Sequence, residues 1–254
     1  RELANHNGVA ALRLAQLAHL LNPGNRDFRK SVYNNIYNLR TPLYSNAIAL
    51  SRPVRDIMVS PDGKYVATQT DEKLLYVWNT RGELVHALEG HKEAITAMAF
   101  SSNGKWIATG SADQTIKIWN MKGELRHTLQ GHTGKISHLA FSPAGDTLLS
   151  ASVDSTAKLW HVNGKLLHTL KGHRKSITHA TFSPEGKKIL TSSRDETARL
   201  WNTEGKMLHS YKGHTATVNK AVFSPDMNRV VTVSDDHNVG IWYITGQNMT
   251  YMEE

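Results

Sequence analysis

The 254-residue sequence predicts an all-β repeat fold, a β-propeller, on three observations. A tryptophan recurs every 41 residues, at Trp78, Trp119, Trp160, Trp201 and Trp242. A Gly-His dipeptide keeps the same period at Gly90-His91, Gly131-His132, Gly172-His173 and Gly213-His214, as do glycines from Gly82 to Gly246. Each period also holds four short segments of strand character, the arithmetic of a propeller blade. Five such units run from about Ser51 to the end of the chain, with blades from Val54–Leu88 through Val218–Met252.

The second unit shows the elements in order. Ala94 to Phe100 reads as a strand, and a tight turn follows it. In the third unit that turn is Ser142-Pro143-Ala144-Gly145, where proline presets φ and glycine accepts a positive φ. Trp106 to Thr109 reads as the next strand, Ala112-Asp113-Gln114 as a turn, and Thr115 to Trp119 as a third strand of alternating character. After Gly123, Leu125 to Leu129 completes the blade. Ahead of the blades, Leu3 to Leu21 has the apolar spacing of an amphipathic helix that stops at Asn22-Pro23-Gly24-Asn25. A second helix is expected over Asp27 to Asn38, with Phe28, Val32 and Ile36 on one side. The domain expectation is a helical connector or cap over 1–45 and blades over 46–254.

Gly-His opening each unit and tryptophan near its end resemble the WD-repeat family, over about four fifths of the chain. This chain mostly writes Trp-Asn where the family name has Trp-Asp. The resemblance implies a buried hydrogen-bond chain in each blade, from the indole to a hydroxyl, to a histidine, to an aspartate. The matching residues are Trp119, Thr109, His91 and Asp113 in blade 2, and Trp160, Ser150, His132 and Asp154 in blade 3. They are Trp201, Thr191, His173 and Asp195 in blade 4, and Trp242, Thr232, His214 and Asp236 in blade 5. Blade 1 departs, with Leu50 in the histidine position and Glu72 in that of the aspartate, as expected of a terminal unit. The resemblance also implies that partners dock on the face carrying the loops after Gly-His and before the aspartate. Those positions include Lys92, Glu93, Lys135, Arg174, Lys175 and Thr215, and, before the aspartate, Ala112, Val153, Arg194 and Asp235. Arg174, Lys175 and Arg194 make blade 4 basic, which suits an acidic peptide or a phosphorylated segment.

Composition narrows the function classes. Hydrophobic residues at 39% and charged residues at 20% are those of a soluble globular domain. With no cysteine there is no disulfide, thiolate metal site or cysteine nucleophile, and a cytoplasmic location is expected. No apolar run reaches membrane-spanning length. The net charge of +8 divides evenly, +4 over residues 1–50 (six Lys/Arg, two Asp/Glu) and +4 over 51–254 (24 against 20). Fourteen histidines raise a metal reading, with His86/His91 and His127/His132 as pairs. A five-residue spacing along strands sets each pair on opposite faces, and the first member recurs at 86, 127, 168 and 209 as part of the repeat, so no metal is expected. Ser, His and Asp likewise recur in every blade, and no blade carries an insertion that would wall a substrate pocket. Neither catalysis nor a cofactor is expected.

The stretch Ala10-Ala11-Leu12-Arg13-Leu14-Ala15-Gln16-Leu17-Ala18, followed by Asn22-Pro23, resembles the helical connector before WD-repeat arrays in bacterial signal-transduction ATPases of the STAND class, NACHT-type proteins included. That resemblance implies a C-terminal sensor for a nucleotide-driven switch, in signalling or defence. The expected function is therefore a protein-interaction scaffold or sensing module. The alternatives are a stand-alone assembly scaffold and a nucleic-acid-binding propeller. Five blades are expected to be part of a larger ring, or to associate with one another, because an open arc leaves apolar faces uncovered.

Overall fold

A computed structural model describes residues 53–246 and the backbone of 249–252. The expected helices over Leu3–Leu21 and Asp27–Asn38 lie outside the described residues, as does Leu50. The described chain is all-β, in five antiparallel four-stranded sheets whose strands pair in sequence order. The sheets are blade 1 (Asp56–Leu88), blade 2 (Ile95–Leu129), blade 3 (Ile136–Lys171), blade 4 (Ile177–Lys212) and blade 5 (Val218–Met252). Among the described residues no helix is long and apolar enough to cross a membrane.

Local chemistry explains the strands. In blade 2 they are Ile95–Phe100, Trp106–Ser111, Ile116–Asn120 and Leu125–Leu129, rich in β-branched and aromatic residues and separated by polar turns. The first three strands are almost wholly buried, and the fourth is mostly exposed, with His127 half-buried and Leu129 buried. First strands of successive blades lie side by side, whereas fourth strands stand at the outer edge, which is the arrangement of a propeller.

The core sits between blades. One layer joins Ala67, Leu75, Val77 and Leu88 of blade 1 to Ile95, Met98, Phe100 and Ile107 of blade 2. Three further layers repeat this between blades 2 and 3, 3 and 4, and 4 and 5. Each blade therefore turns one set of alternate residues toward its predecessor and the other toward its successor. In blades 2, 4 and 5 the first strand opens with a register shift that skips one residue, Thr96, Thr178 or Asn219, and the same skip at Ser137 marks blade 3. Three of the skipped residues turn a hydroxyl onto the next blade. Thr96 Oγ1 donates to the Ile136 carbonyl, Ser137 Oγ to Ile177 and Thr178 Oγ1 to Val218, each at 2.6 Å. Between blades 1 and 2 Gln69 Nε2 fills the role, donating to the Ile95 carbonyl at 3.2 Å.

Candidate binding face and the buried network beneath it

The loop entering each blade and the loop between its second and third strands emerge at the same end, and a buried side-chain chain ties them together. In blade 2 the Trp119 indole N–H donates to Thr109 Oγ1 at 2.9 Å, and Thr109 lies 2.8 Å from His91 Nε2. His91 Nδ1 lies 3.0 Å from Asp113 Oδ2. Tryptophan is only a donor and the aspartate only an acceptor, so the chain closes when the hydroxyl donates to Nε2 and Nδ1 carries the proton. Blade 3 repeats it through Trp160, Ser150, His132 and Asp154, and blade 4 through Trp201, Thr191, His173 and Asp195. Blade 5 does so through Trp242, Thr232, His214 and Asp236. In blade 1 the Trp78 indole still meets Thr68 Oγ1 at 2.9 Å. Glu72 there accepts from the Tyr76 hydroxyl instead.

The aspartates reach further than the sequence indicates. Asp195 Oδ2 accepts the Arg174 N–H as well as the histidine, and its Oδ1 accepts the backbone N–H and hydroxyl of Thr197. Lys92, Thr133 and Thr215 offer the same backbone N–H to Asp113, Asp154 and Asp236. Burial opposes ionisation of Asp113, Asp154 and Asp195, yet the converging donors outweigh it and hold these carboxyls far below the usual range. Asp236 is set against burial in the same way by Asn238, Thr215 and His214 and falls to about 2. Burial pushes His91 and His173 below the ordinary imidazole value, with the aspartates pulling the other way, so both are neutral near pH 7.

All eight predicted partner-binding residues, Lys92, Glu93, Lys135, Arg174, Lys175, Arg194, Thr215 and Asp235, are exposed on this face. The structure gathers a subset of them. Arg174 is fixed through its N–H to Asp195, and the Arg194 N–H donates to the Ser176 carbonyl beside Lys175. On blade 3 the Val153 N–H donates to the Lys135 carbonyl, and the Val153 carbonyl accepts the Ser176 hydroxyl across the blade boundary. Lys135, Arg174, Lys175 and Arg194 thus stand on loops stitched around the exposed Val153. Lys175 also faces Glu196 at 3.8 Å, between exposed side chains. Lys92, Glu93, Thr215 and Asp235 belong to other blades, and Asp235 accepts from the Asn219 amide.

The outer histidines have a packing role. His86 Nε2 donates to the Met121 carbonyl, and His86, His127 and His168 lie against the turn glycines Gly123, Gly164 and Gly205 of the following blades. His91 and His132 are engaged in the buried chains. Among the described residues no three His, Cys, Asp or Glu side chains cluster as a metal site would require.

Two features escaped sequence reasoning. One is Arg199, in the column that carries Lys117 and Lys158 in blades 2 and 3. Its guanidinium lies under Gly172 and 3.9 Å from Asp195, adding a cation beneath the basic loops. The Lys-Lys-Arg column itself was a signal for it. The other is the pair His138 and His179 on adjacent first strands, with ring centroids 4.2 Å apart and each Nδ1 buried without a hydrogen-bond partner. No motif announced that pair. A cleft of about 340 Å³ between blades 3 and 4, lined by Pro143, Leu159, Leu167 and Phe182 with Asp146 and Glu185, opens by the turns at the opposite end.

The family model for the WD domain, G-beta repeat, matches residues 82–120, 123–161, 164–202 and 205–243, together more than half of the chain. The chain belongs to the WD40 repeat family. Each matched WD40 repeat takes the fourth strand of one blade and the first three of the next, so neighbouring blades interlock through the repeat. The first three strands of blade 1, where the buried chain is incomplete, fall outside the matches. WD40 propellers generally act as protein-interaction scaffolds. No curated protein matches the chain in sequence.

Proposed function

We propose that this WD40 propeller holds an acidic or phosphorylated peptide segment on the loop face of blades 3 and 4. The observation that carries the reading is the gathering of Lys135, Arg174, Lys175 and Arg194 around an exposed apolar residue, Val153, on loops pinned from below. Arginine forks bind carboxylate or phosphate in two-point contacts, and the valine supplies an apolar centre. The domain's role in this reading is recognition rather than catalysis. Its repeated hydroxyl, histidine and aspartate groups are engaged in the indole chains, with histidine side chains at 0–2% exposure and aspartates at 5–8%.

The test is an array of phosphoserine and glutamate-rich peptides probed with the 254-residue chain, repeated with Arg174→Glu and Arg194→Glu. Binding lost on charge reversal in blade 4 and unaffected by Lys92→Glu supports the reading. Equal binding by all variants overturns it. Nucleic acid is the competing class, and it differs in salt response, because many phosphate contacts give a steep loss of affinity between low and moderate salt.

The connector-like segment at Ala10–Ala18 supports a larger role, in which the propeller is the trigger-sensing part of a STAND-type signalling protein. A GxxxxGK[ST] loop encoded upstream of Arg1 in the same reading frame is the expected finding. A stop codon in that frame directly upstream removes this role and leaves a scaffold.

A further inference from the structure

The four interior junctions between blades use the same columns of the repeat, and both outermost faces carry those columns ready-made. Toward a predecessor, blade 2 turns Ile95, Met98 and Phe100, which are 2%, 5% and 9% exposed. Blade 1 has Val54, Ile57 and Val59 in those columns, exposed at 46%, 61% and 55%. Toward a successor, blade 2 turns Ala99, Ile116 and Ile118, all buried. Blade 5 has Val222, Val239 and Ile241 there, with Val222 at 38%, and adds Val233 at 40%. These exposures also show that blades 1 and 5 of one molecule do not cover each other.

The polar code is complete as well. Every interior junction has a side-chain donor on one blade aimed at a first-strand carbonyl of the next: Gln69 to Ile95, Thr96 to Ile136, Ser137 to Ile177 and Thr178 to Val218. Blade 5 places Asn219 at the skipped position, and the carbonyl in the matching column of blade 1 is that of Val54. An amide has two N–H donors, and one of Asn219 goes to Asp235 Oδ1. Neither size is foreign to a junction: the column of Val233 already spans Gly110, Ala151, Ser192 and Gln69, and that of Val54 holds Ile95, Ile136, Ile177 and Val218. A generic apolar partner has no use for this donor and column match, whereas a blade of this repeat does.

We propose that the successor face of blade 5 (Val222, Val233, Ile241, with Asn219) docks the predecessor face of blade 1 (Val54, Ile57, Val59) on a second copy of this chain. Copies then join head to tail through a fifth junction of the kind seen four times inside one chain. The interface is heterologous, so each copy keeps one face for a further neighbour. It lies at the blade edges and does not depend on the peptide reading of the loop face.

Sedimentation of the 254-residue chain across a wide concentration range tests this, with Ile57→Asp and Val222→Asp as variants at exposed positions. The wild type is expected to grow beyond a dimer as concentration rises. Each single variant stays a monomer, and an equimolar mixture of the two forms a heterodimer and stops there, because one intact face of each kind remains. Formation of that heterodimer also shows that both variants fold. Asn219→Ala, which removes only the donor, weakens wild-type association about tenfold. A wild type that is monomeric throughout overturns the proposal, as do single variants that still grow and a mixture that stays monomeric. So does a disulfide formed within a dilute monomer between cysteines introduced by Arg55→Cys and Asn219→Cys, since that means one copy closes on itself.

Discussion

At the scale of residues, the buried chains are where one atom matters most. Thr191 Oγ1 serves both the Trp201 indole and His173 Nε2, whereas Thr68 Oγ1 in blade 1 serves the Trp78 indole without a histidine. Thr191→Val keeps the shape and orphans two buried groups, for an expected loss of about 2–4 kcal/mol. Thr68→Val orphans one, for about 1–2 kcal/mol, and urea unfolding of the two variants measures the difference. His138 and His179 lead the acid response, and His91 and His173, lowered by burial, add to it in the same direction. Burial pushes His138 down to about 4, Lys220 adding to the effect and Asp56 opposing it; burial, His138 and Lys220 push His179 to about 3. The unfolded chain binds these protons near pH 6.5 and the folded chain does not, so stability is full above about 6.5 and declines as pH falls toward 4. The aspartates, with values lowered from 3.8, begin to contribute only below that window. His179→Gln is expected to flatten stability between pH 6.5 and 4, as measured by denaturant midpoints across that range.

Among the elements, the skipped residue at the start of the first strand couples blades 2, 3 and 4 each to the next. Ser137→Ala removes the hydroxyl that meets the Ile177 carbonyl while leaving blade 3's own ladder intact. The expected cost is about 1–2 kcal/mol, with faster amide exchange along Ile177–Phe182 and little change in Thr147–Ser152. The turn after each aspartate was legible for a different reason from the one glycine usually supplies. Gln114, Ser155, Glu196 and His237 hold φ of 69°, 65°, 69° and 68°, so a left-handed position is filled by four different residues, none of them glycine. The preceding aspartate gave the turn away, because its carboxylate takes the N–H two residues on, as Asp113 does from Thr115.

For the whole molecule, blades contact chiefly their sequence neighbours, so stability is distributed along the array rather than pooled in one core. Leu200→Ala, in the layer between blades 4 and 5, is expected to cost about 2–5 kcal/mol. Exchange protection should fall in blades 4 and 5 and stay near wild type in blades 1 and 2; uniform loss in all five would mean that the array unfolds as one unit.

The sequence by itself determined the strands and the five described blades, since a 41-residue period forces equivalent residues into equivalent environments, and its resemblance to the WD-repeat family implied the indole chains of blades 2 to 5. His91 and Asp113, 22 residues apart, are partners that the resemblance implied and the period then repeats in each later blade. Only the tertiary structure decided which loop cations become neighbours. The Ser176 hydroxyl and Val153 carbonyl meet across two blades, and so gather Lys135 with the blade 4 cations. The pairing of His138 with His179 was hidden likewise, because both follow the skipped residue on their strands and are brought together only when first strands converge. Periodicity reports what each blade shares, and such contacts depend on how dissimilar residues in one column face each other between blades.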